Sequence, residues 1–260
     1  MNNVNYRHVI CAIAKNEDAY LNEWAGYHLA LGFEHIFIYD NDSIVPIEEF
    51  FSNSPLRDRI TCIRWPTQPM ESAQISAYQH FLANHRDHVE WAAVIDIDEF
   101  INLKQDASIS QFLDRFPGAD GIGINWRIFG SGGHQRYSGM PVTERFRRAA
   151  DISFEANKLR KTMYRLRSTI SINIHTGVFR ADAAVYSPSG EGIDGDVVIP
   201  IQQKNYDVAQ INHYFVKSYE EWVKKVKRGY TDATVRAVEM FDEYDRNEVV
   251  DDTILRGRGQ

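Results

Sequence analysis

Trp91-Ala92-Ala93-Val94-Ile95-Asp96-Ile97-Asp98-Glu99-Phe100 is an apolar run that breaks into three acidic residues out of four. Residues 91–96 have the length and composition of a buried strand. Asp96 and Asp98 stand two positions apart, so an extended backbone points both to one side. Like charges that close repel, and a divalent cation between them relieves the repulsion. Oxygen ligands favour Mn2+ or Mg2+ over zinc, and both ions commonly bridge a protein to substrate phosphates. The competing account is a strand that ends in a solvated acidic turn.

Upstream of this stretch, strands and helices alternate. Residues 8–14 read as a buried strand, and residues 35–39 as a second, closed by the turn cluster Asp40-Asn41-Asp42-Ser43. The helix between them is expected to take Asn16 as its cap and Glu17 and Asp18 at its positive end. Tyr20, Trp24, Tyr27 and Leu31 give it one buried face, and Gly32 stops it. A third strand is expected over residues 60–65 and a polar helix over 72–85. This alternation predicts an α/β fold with a mostly parallel central sheet flanked by helices. Ligands of such sheets sit outside the carboxyl ends of the strands, where Asp96 and Asp98 are placed.

Downstream the order is looser. Ser108-Ile109-Ser110-Gln111 has the capping-box pattern of a short helix, and residues 121–126 read as a strand. Gly130-Ser131-Gly132-Gly133-His134 is expected to be a flexible loop, and residues 186–196 a mobile one. Residues 157–166 and 171–179 are two further candidate strands. A second capping box, Ser218-Tyr219-Glu220-Glu221, opens a helix with Trp222 and Val226 on one face. That helix ends in a basic turn and stops at Gly229, as the helix dipole favours.

The 260 residues suit a single domain, with 1–100 as a nucleotide-binding half, 101–217 as a sugar and acceptor half, and 218–260 as a C-terminal helical segment. Apolar residues make up 43% and charged residues 25%, an ordinary soluble balance. The net charge of −7 argues against bulk nucleic-acid binding, which needs a basic face. No stretch reaches the roughly 18 to 20 apolar residues of a membrane span. Residues 1–8 are polar and lack a signal-peptide pattern, so a cytoplasmic protein is expected, with peripheral contact at the inner membrane face left open. Cys11 and Cys62 are expected as thiols rather than a disulfide.

The motifs occur in a recognisable order. Ala14-Lys15-Asn16-Glu17, Glu23-Trp24, Tyr27-His28 and Gly32-Phe33 lead into Ile38-Tyr39-Asp40-Asn41-Asp42-Ser43. Asp96-Ile97-Asp98-Glu99-Phe100 follows, then Asn125-Trp126-Arg127-Ile128-Phe129-Gly130, then residues 211–218 with Glu220-Glu221 and Lys227-Arg228-Gly229. This series resembles glycosyltransferases of the family 2 or family 92 type over roughly residues 9–230. The resemblance implies the GT-A fold, a Rossmann-like nucleotide-diphospho-sugar transferase domain with a D-x-D metal site. It also implies a nucleotide-diphosphate sugar donor, Mn2+ (or Mg2+), and a glycan or lipid-linked acceptor in cell-surface polysaccharide or glycoconjugate synthesis.

On that basis Asp96 and Asp98 are the expected metal ligands, Asp98 the more direct. The resemblance adds a histidine from the C-terminal part, His213 first and His175 second; each is otherwise a core histidine. Lys15, Asn16 and Glu17 close the first strand where helix amides attract phosphate, though Lys15 is equally a solvated turn residue. Asp40 would meet the base, or else serve an Asx-type turn. Trp126 and Arg127 are candidates for the sugar site, with core filling as the alternative for Trp126. Lys158, Arg160, Lys161 and Arg165 are either a diphosphate lining or a solvated basic face. For the proton acceptor, Glu155, Glu191, Asp194 and His134 stay open.

Two other enzyme classes fit worse. An aspartyl phosphotransferase wants Thr or Val where Phe100 stands, and a sugar-nucleotide pyrophosphorylase needs a Gly-rich loop where Ala14-Lys15-Asn16-Glu17 stands. The remaining alternative is a non-catalytic nucleotide- or sugar-binding module descended from a transferase.

Overall fold

The computed structural model describes residues 5–229 and 237–256; the first half of the polar 1–8 stretch and parts of the 218–260 segment lie outside them. The first half alternates β1 (Tyr6–Ala14), α1 (Asp18–Ala30), β2 (His35–Asp40), α2 (Ile47–Phe51), β3 (Ile60–Arg64), α3 (Ala73–His85) and β4 (Val89–Val94). Then come β5 (Glu99–Leu103), α4 (Ile109–Asp114), β6 (Gly121–Ile128), α5 (Val142–Arg145) and β7 (Arg148–Ala149). The strands β8 (Arg160–Arg165), β9 (Thr169–Ile172), β10 (Gly177–Phe179) and β11 (Val185–Tyr186) precede α6 (Gln203–Tyr206) and β12 (Ala209–His213). The last elements are α7 (Tyr219–Arg228), α8 (Met240–Tyr244) and β13 (Val249–Val250).

The main sheet runs β3-β2-β1-β4-β8-β6-β12-β5, with β11 against β6. β3, β2, β1 and β4 are parallel, and β12 and β11 are parallel to β6. β8 and β5 run antiparallel to their neighbours. The expected α/β class and mostly parallel sheet hold, with β4 central and helices on both faces. Alternation along β1 shows how: Ile10, Ala12 and Ala14 pack with Trp24 of α1 and Phe112 of α4, whereas Val9, Cys11 and Ile13 pack with Tyr78 and Phe81 of α3. The two cysteines are free thiols, Cys11 buried.

Several local expectations need correction. Asn16 does not cap α1. It takes a left-handed backbone (φ 52°), and its Oδ1 accepts from the Ile44 amide at 2.7 Å. A short polar side chain tolerates that conformation, so the residue serves the loop and not the helix. The helix buries Leu21, Trp24, Ala25, His28 and Leu29, a face turned from the expected one because Tyr20 and Tyr27 only half bury. Residues 157–166 begin as a 3-10 turn before β8, and residues 171–179 hold the end of β9, a turn and β10, a hairpin and not one strand. The Gly130–His134 loop is anchored, with Ser131 N donating to Asp245 Oδ1 and Gly132 N to Asn247 Oδ1. Both capping serines, Ser108 and Ser218, accept from the amide three residues on, Gln111 N and Glu221 N, and the second box is complete. No helix among the described residues is long and apolar enough to cross a membrane.

Candidate functional site

β4 ends at Val94, and residues 95–98 turn back into β5, which places Asp96 and Asp98 just past the carboxyl end of the central strand. Side chains of α1 hold this turn from below. Trp24 Nε1 donates to the Glu99 carbonyl at 2.8 Å, Tyr27 Oη to the Ile101 carbonyl at 2.7 Å, and the Ile101 amide to His28 Nε2 at 3.3 Å. The Trp24, Tyr27 and His28 positions are therefore supports for the acidic turn. On its other side β12 pairs with β5 in a register that sets His213 opposite Glu99, and Tyr214 N donates to the Asp98 carbonyl at 2.9 Å. This pairing brings residues more than a hundred positions apart to one place.

A cavity opens there at the carboxyl ends of β1, β4, β6 and β12. Asp96, Asp98, His175, His213, Trp126 and Lys15 all line it, as does Glu17. Seven of the residues singled out from the sequence thus meet in one place. Asn16, Asp40 and Arg127 do not line it. Both oxygens of Asp40 accept backbone amides, Ser43 N and Ile47 N at 3.0 Å each, which is the Asx-turn arrangement. Arg127 falls on the face of β6 opposite Trp126, with its guanidinium 5.9 Å from the Tyr206 ring. Glu155, Glu191, Asp194 and His134 also lie outside the lining. Glu155 pairs with Lys158, Glu191 with Lys204, and the Asp194 carbonyl accepts from Arg160 Nη2.

The two aspartates have separate partners. Asp96 Oδ2 meets Lys161 Nζ at 2.8 Å, and its Oδ1 accepts from Gln74 Nε2 at 3.0 Å. Lys161 is fully buried, also stands 3.5 Å from Glu99 Oε2, and is the one member of the 158–165 basic group to reach the acidic turn. Asp98 Oδ2 accepts from Lys225 Nζ of α7 at 2.6 Å. Burial would push the Asp98 carboxyl up, but Lys225, then His213 and Lys217, outweigh it and hold the group well below the usual carboxylate range. Glu99 behaves oppositely: burial, with Asp96 and Asp98 beside it, drives its carboxyl well up despite Lys161.

His213 is kept neutral chiefly by burial, against the pull of Asp98. Its Nε2 lies 3.5 Å from Asp98 Oδ1, too long for a good hydrogen bond, and its Nδ1 has no partner among the described residues. His175 bonds through Nδ1 to the Arg160 carbonyl at 3.0 Å. A carbonyl only accepts, so Nδ1 carries the proton and Nε2 holds a free lone pair. Burial lowers its pKa to about 4. The Trp126 ring sits 5.0 Å from His175 and 4.3 Å from His213, and its buried Nε1 also lacks a partner among the described residues.

Lys225, Arg228 and Gln74 also line the cavity; sequence reasoning assigned none of the three a role in the site, although Arg228 stands in the C-terminal motif. The basic last turn of α7 explains itself by the helix dipole, which hid its second use. The only signal was spacing: Lys225 and Arg228 are three apart and share a helix face. Arg228 Nη1 reaches Glu17 Oε1 at 2.6 Å, so α7 closes the cavity against the start of α1. Among the described residues, no group of three or more His, Cys, Asp or Glu side chains is gathered for a metal ion.

Comparison with known proteins gives the chain a family. The description "Glycosyltransferase family 92" matches residues 6–247. A glycosyltransferase family 92 protein of Oryza sativa subsp. japonica is 30% identical over 115 residues, 44% of this chain and 19% of that protein. One from Ricinus communis is 35% identical over 94 residues, 36% of this chain and 17% of that protein. The chain therefore aligns with about a fifth of the length of these relatives. Among solved structures, S. aureus TarS 1-349 superposes with a TM-score of 0.39 at 16% identity, covering 62% of this chain and 47% of that one.

Proposed function

The chain belongs to glycosyltransferase family 92, and from that premise we propose that it moves a sugar from a nucleotide-diphosphate donor to an acceptor hydroxyl in the cavity beyond β4. The observation that carries this reading is the convergence of Asp96, Asp98, His175 and His213 with the cations Lys15, Lys225 and Arg228 in one cleft. Anionic phosphates need such cations, and a cleft at the carboxyl ends of parallel strands is where such a sheet takes ligands.

The residues fit a divalent cation held by few protein ligands. Asp98 Oδ1 and His213 Nε2, 3.5 Å apart, are spaced for two adjacent positions of one coordination sphere once drawn slightly together. His175 presents a free Nε2 with its other nitrogen fixed by a carbonyl, the usual support of a metal-bound imidazole. When bound, Mn2+ or Mg2+ supplies Lewis-acid neutralisation of the departing diphosphate. The chain's own contribution is positional. Lys225 and Arg228 offer charge from α7, Lys161 and Gln74 fix Asp96, and Trp126 offers an aromatic wall and an indole N–H to the sugar. For the acceptor, a glycan or lipid-linked molecule is what the family resemblance supports.

The test is calorimetry against a panel of nucleoside diphosphates, with and without Mn2+. One nucleotide should bind, more tightly with the metal. Asp98→Asn, which keeps the shape and a contact for Lys225, should remove the metal enhancement. If no nucleotide binds, or if the variant keeps the enhancement, the reading fails.

A further inference from the structure

A second cavity lies beside the first and shares Glu17, Lys225 and Arg228 with it. Its remaining wall includes Tyr20, Tyr137 and Lys217. The charges in that wall are almost all spoken for. Glu17 holds Arg228, Glu221 holds Arg145, Lys224 holds Glu220, and Lys225 holds Asp98. Asp18 stands exposed at the rim.

Lys217 is different. The residue is only 4% exposed, but it lines the cavity, and the carboxylate that feels its charge is Asp98, which Lys225 already holds. The contact of Lys217 is the face of the Tyr20 ring, with Nζ 4.3 Å from the centroid. The ring itself is fixed, since Tyr20 Oη donates to Glu221 Oε1 at 2.8 Å. A ring face satisfies part of a cation's attraction but leaves its three N–H donors without oxygen acceptors. The cavity beside this lysine leaves room for an anion to accept from those donors. The backbone at Lys217 is also held left-handed (φ 56°), a conformation that side chains rarely adopt, so the fold fixes this lysine at some expense.

From this we infer that the second cavity is the acceptor subsite, and that Lys217 binds an anionic group, carboxylate or phosphate, carried by the acceptor sugar. The inference rests on the transferase reading above and adds the acceptor's chemistry to it. Lys217 lines the second cavity and not the first, although its charge is felt at Asp98. The half-exposed Tyr137 ring in the same wall suits the C–H face of a pyranose, placing sugar and anion together.

The test uses the full chain saturated with the nucleoside diphosphate found above and titrates four probes by calorimetry: glucuronate, glucose 6-phosphate, glucose and inorganic phosphate. At least one acidic sugar should bind about tenfold or more tightly than glucose, a difference of the size a charged hydrogen bond provides. A preference for glucuronate marks a uronate acceptor, and one for glucose 6-phosphate a phosphorylated one. Lys217→Met should abolish the preference and Lys217→Arg should keep most of it. Lys217→Gly suits the left-handed backbone and guards against misfolding; it too should abolish the preference. Equal binding of glucose and both acidic sugars overturns the proposal, as does phosphate binding as tightly as the acidic sugars. A Lys217→Met variant that keeps the preference but loses nucleotide affinity assigns the lysine to the donor and equally overturns it. Failure of every nucleotide to bind condemns the transferase reading instead, and the probe series can still be run without nucleotide.

Discussion

Replacing Arg145 by alanine tests how α7 is fastened over the cleft. Arg145 donates to Glu221 through both Nη1 and Nη2, at 2.8 and 2.9 Å, and each side chain is 2% exposed. Glu221 also accepts from Ser218 N, Ser218 Oγ and Tyr20 Oη, which closes the capping box of α7. Removing one partner of a buried pair strands the other's charge and typically costs about 3 to 5 kcal/mol. Three hydrogen bonds to Glu221 survive, which puts the expected loss near the lower figure, about 3 kcal/mol. Urea unfolding followed by circular dichroism would read it as a lowered midpoint with unchanged slope. The pH dependence adds a check. Burial pushes the Glu221 carboxyl up, but the bonds from Arg145 and Ser218 outweigh it and hold the group below its ordinary value. Its contribution is therefore present above the unfolded value of about 4.3 and is lost as pH falls below it. The variant lacks that contribution, so its deficit should narrow below about pH 4.3. A loss under about 1 kcal/mol, the worth of an exposed pair, would refute the account.

Three further outcomes are expected. His28 is fully buried, donates from Nδ1 to the Trp24 carbonyl and accepts at Nε2, and burial lowers its pKa to about 3. The unfolded chain binds that proton first, so stability should fall as pH drops below about 6.5; urea midpoints equal at pH 7 and pH 5 would count against this. Gly130→Ala would set a Cβ on the Arg246 carbonyl, backbone that cannot swing aside, and should lower stability by about 1 to 3 kcal/mol in thermal unfolding. Lys161→Met leaves the Asp96 carboxylate without its ammonium and should cost about 3 kcal/mol, partly recovered by adding Asp96→Asn; no recovery would show that the charge is not the cause.

How much of this was legible depends on which interactions are local. The parallel half reads directly, because buried strands such as residues 8–14 and 35–39 are apolar throughout and are punctuated by turn residues. The acidic turn is legible for the same reason: Asp96 and Asp98 interrupt an apolar run. What sequence cannot display is pairing across distance. Nothing near Asp98 announces Lys225, which reaches it from 127 positions away. Nothing near Arg127 announces that alternation along β6 aims Trp126 into the cleft and Arg127 away from it. Asp40 and Asn16 were ambiguous because short polar side chains serve turns and ligands equally well, and here the backbone claims them. The basic turn of α7 was read as a response to the helix dipole, which is sufficient in itself and so conceals the second role.

The Arg228 to Glu17 contact joins the last long helix to the first loop of the sheet, across 211 positions. During synthesis on the ribosome, the strands that carry Lys15, Asp96 and Asp98 emerge first, but the wall that faces them is the last part of the cleft to be made. A nascent chain therefore holds an open acidic edge and no closed cleft. Any truncation before α7 should leave a sheet that folds in part and a cleft that never forms, so the cleft waits on the synthesis of α7.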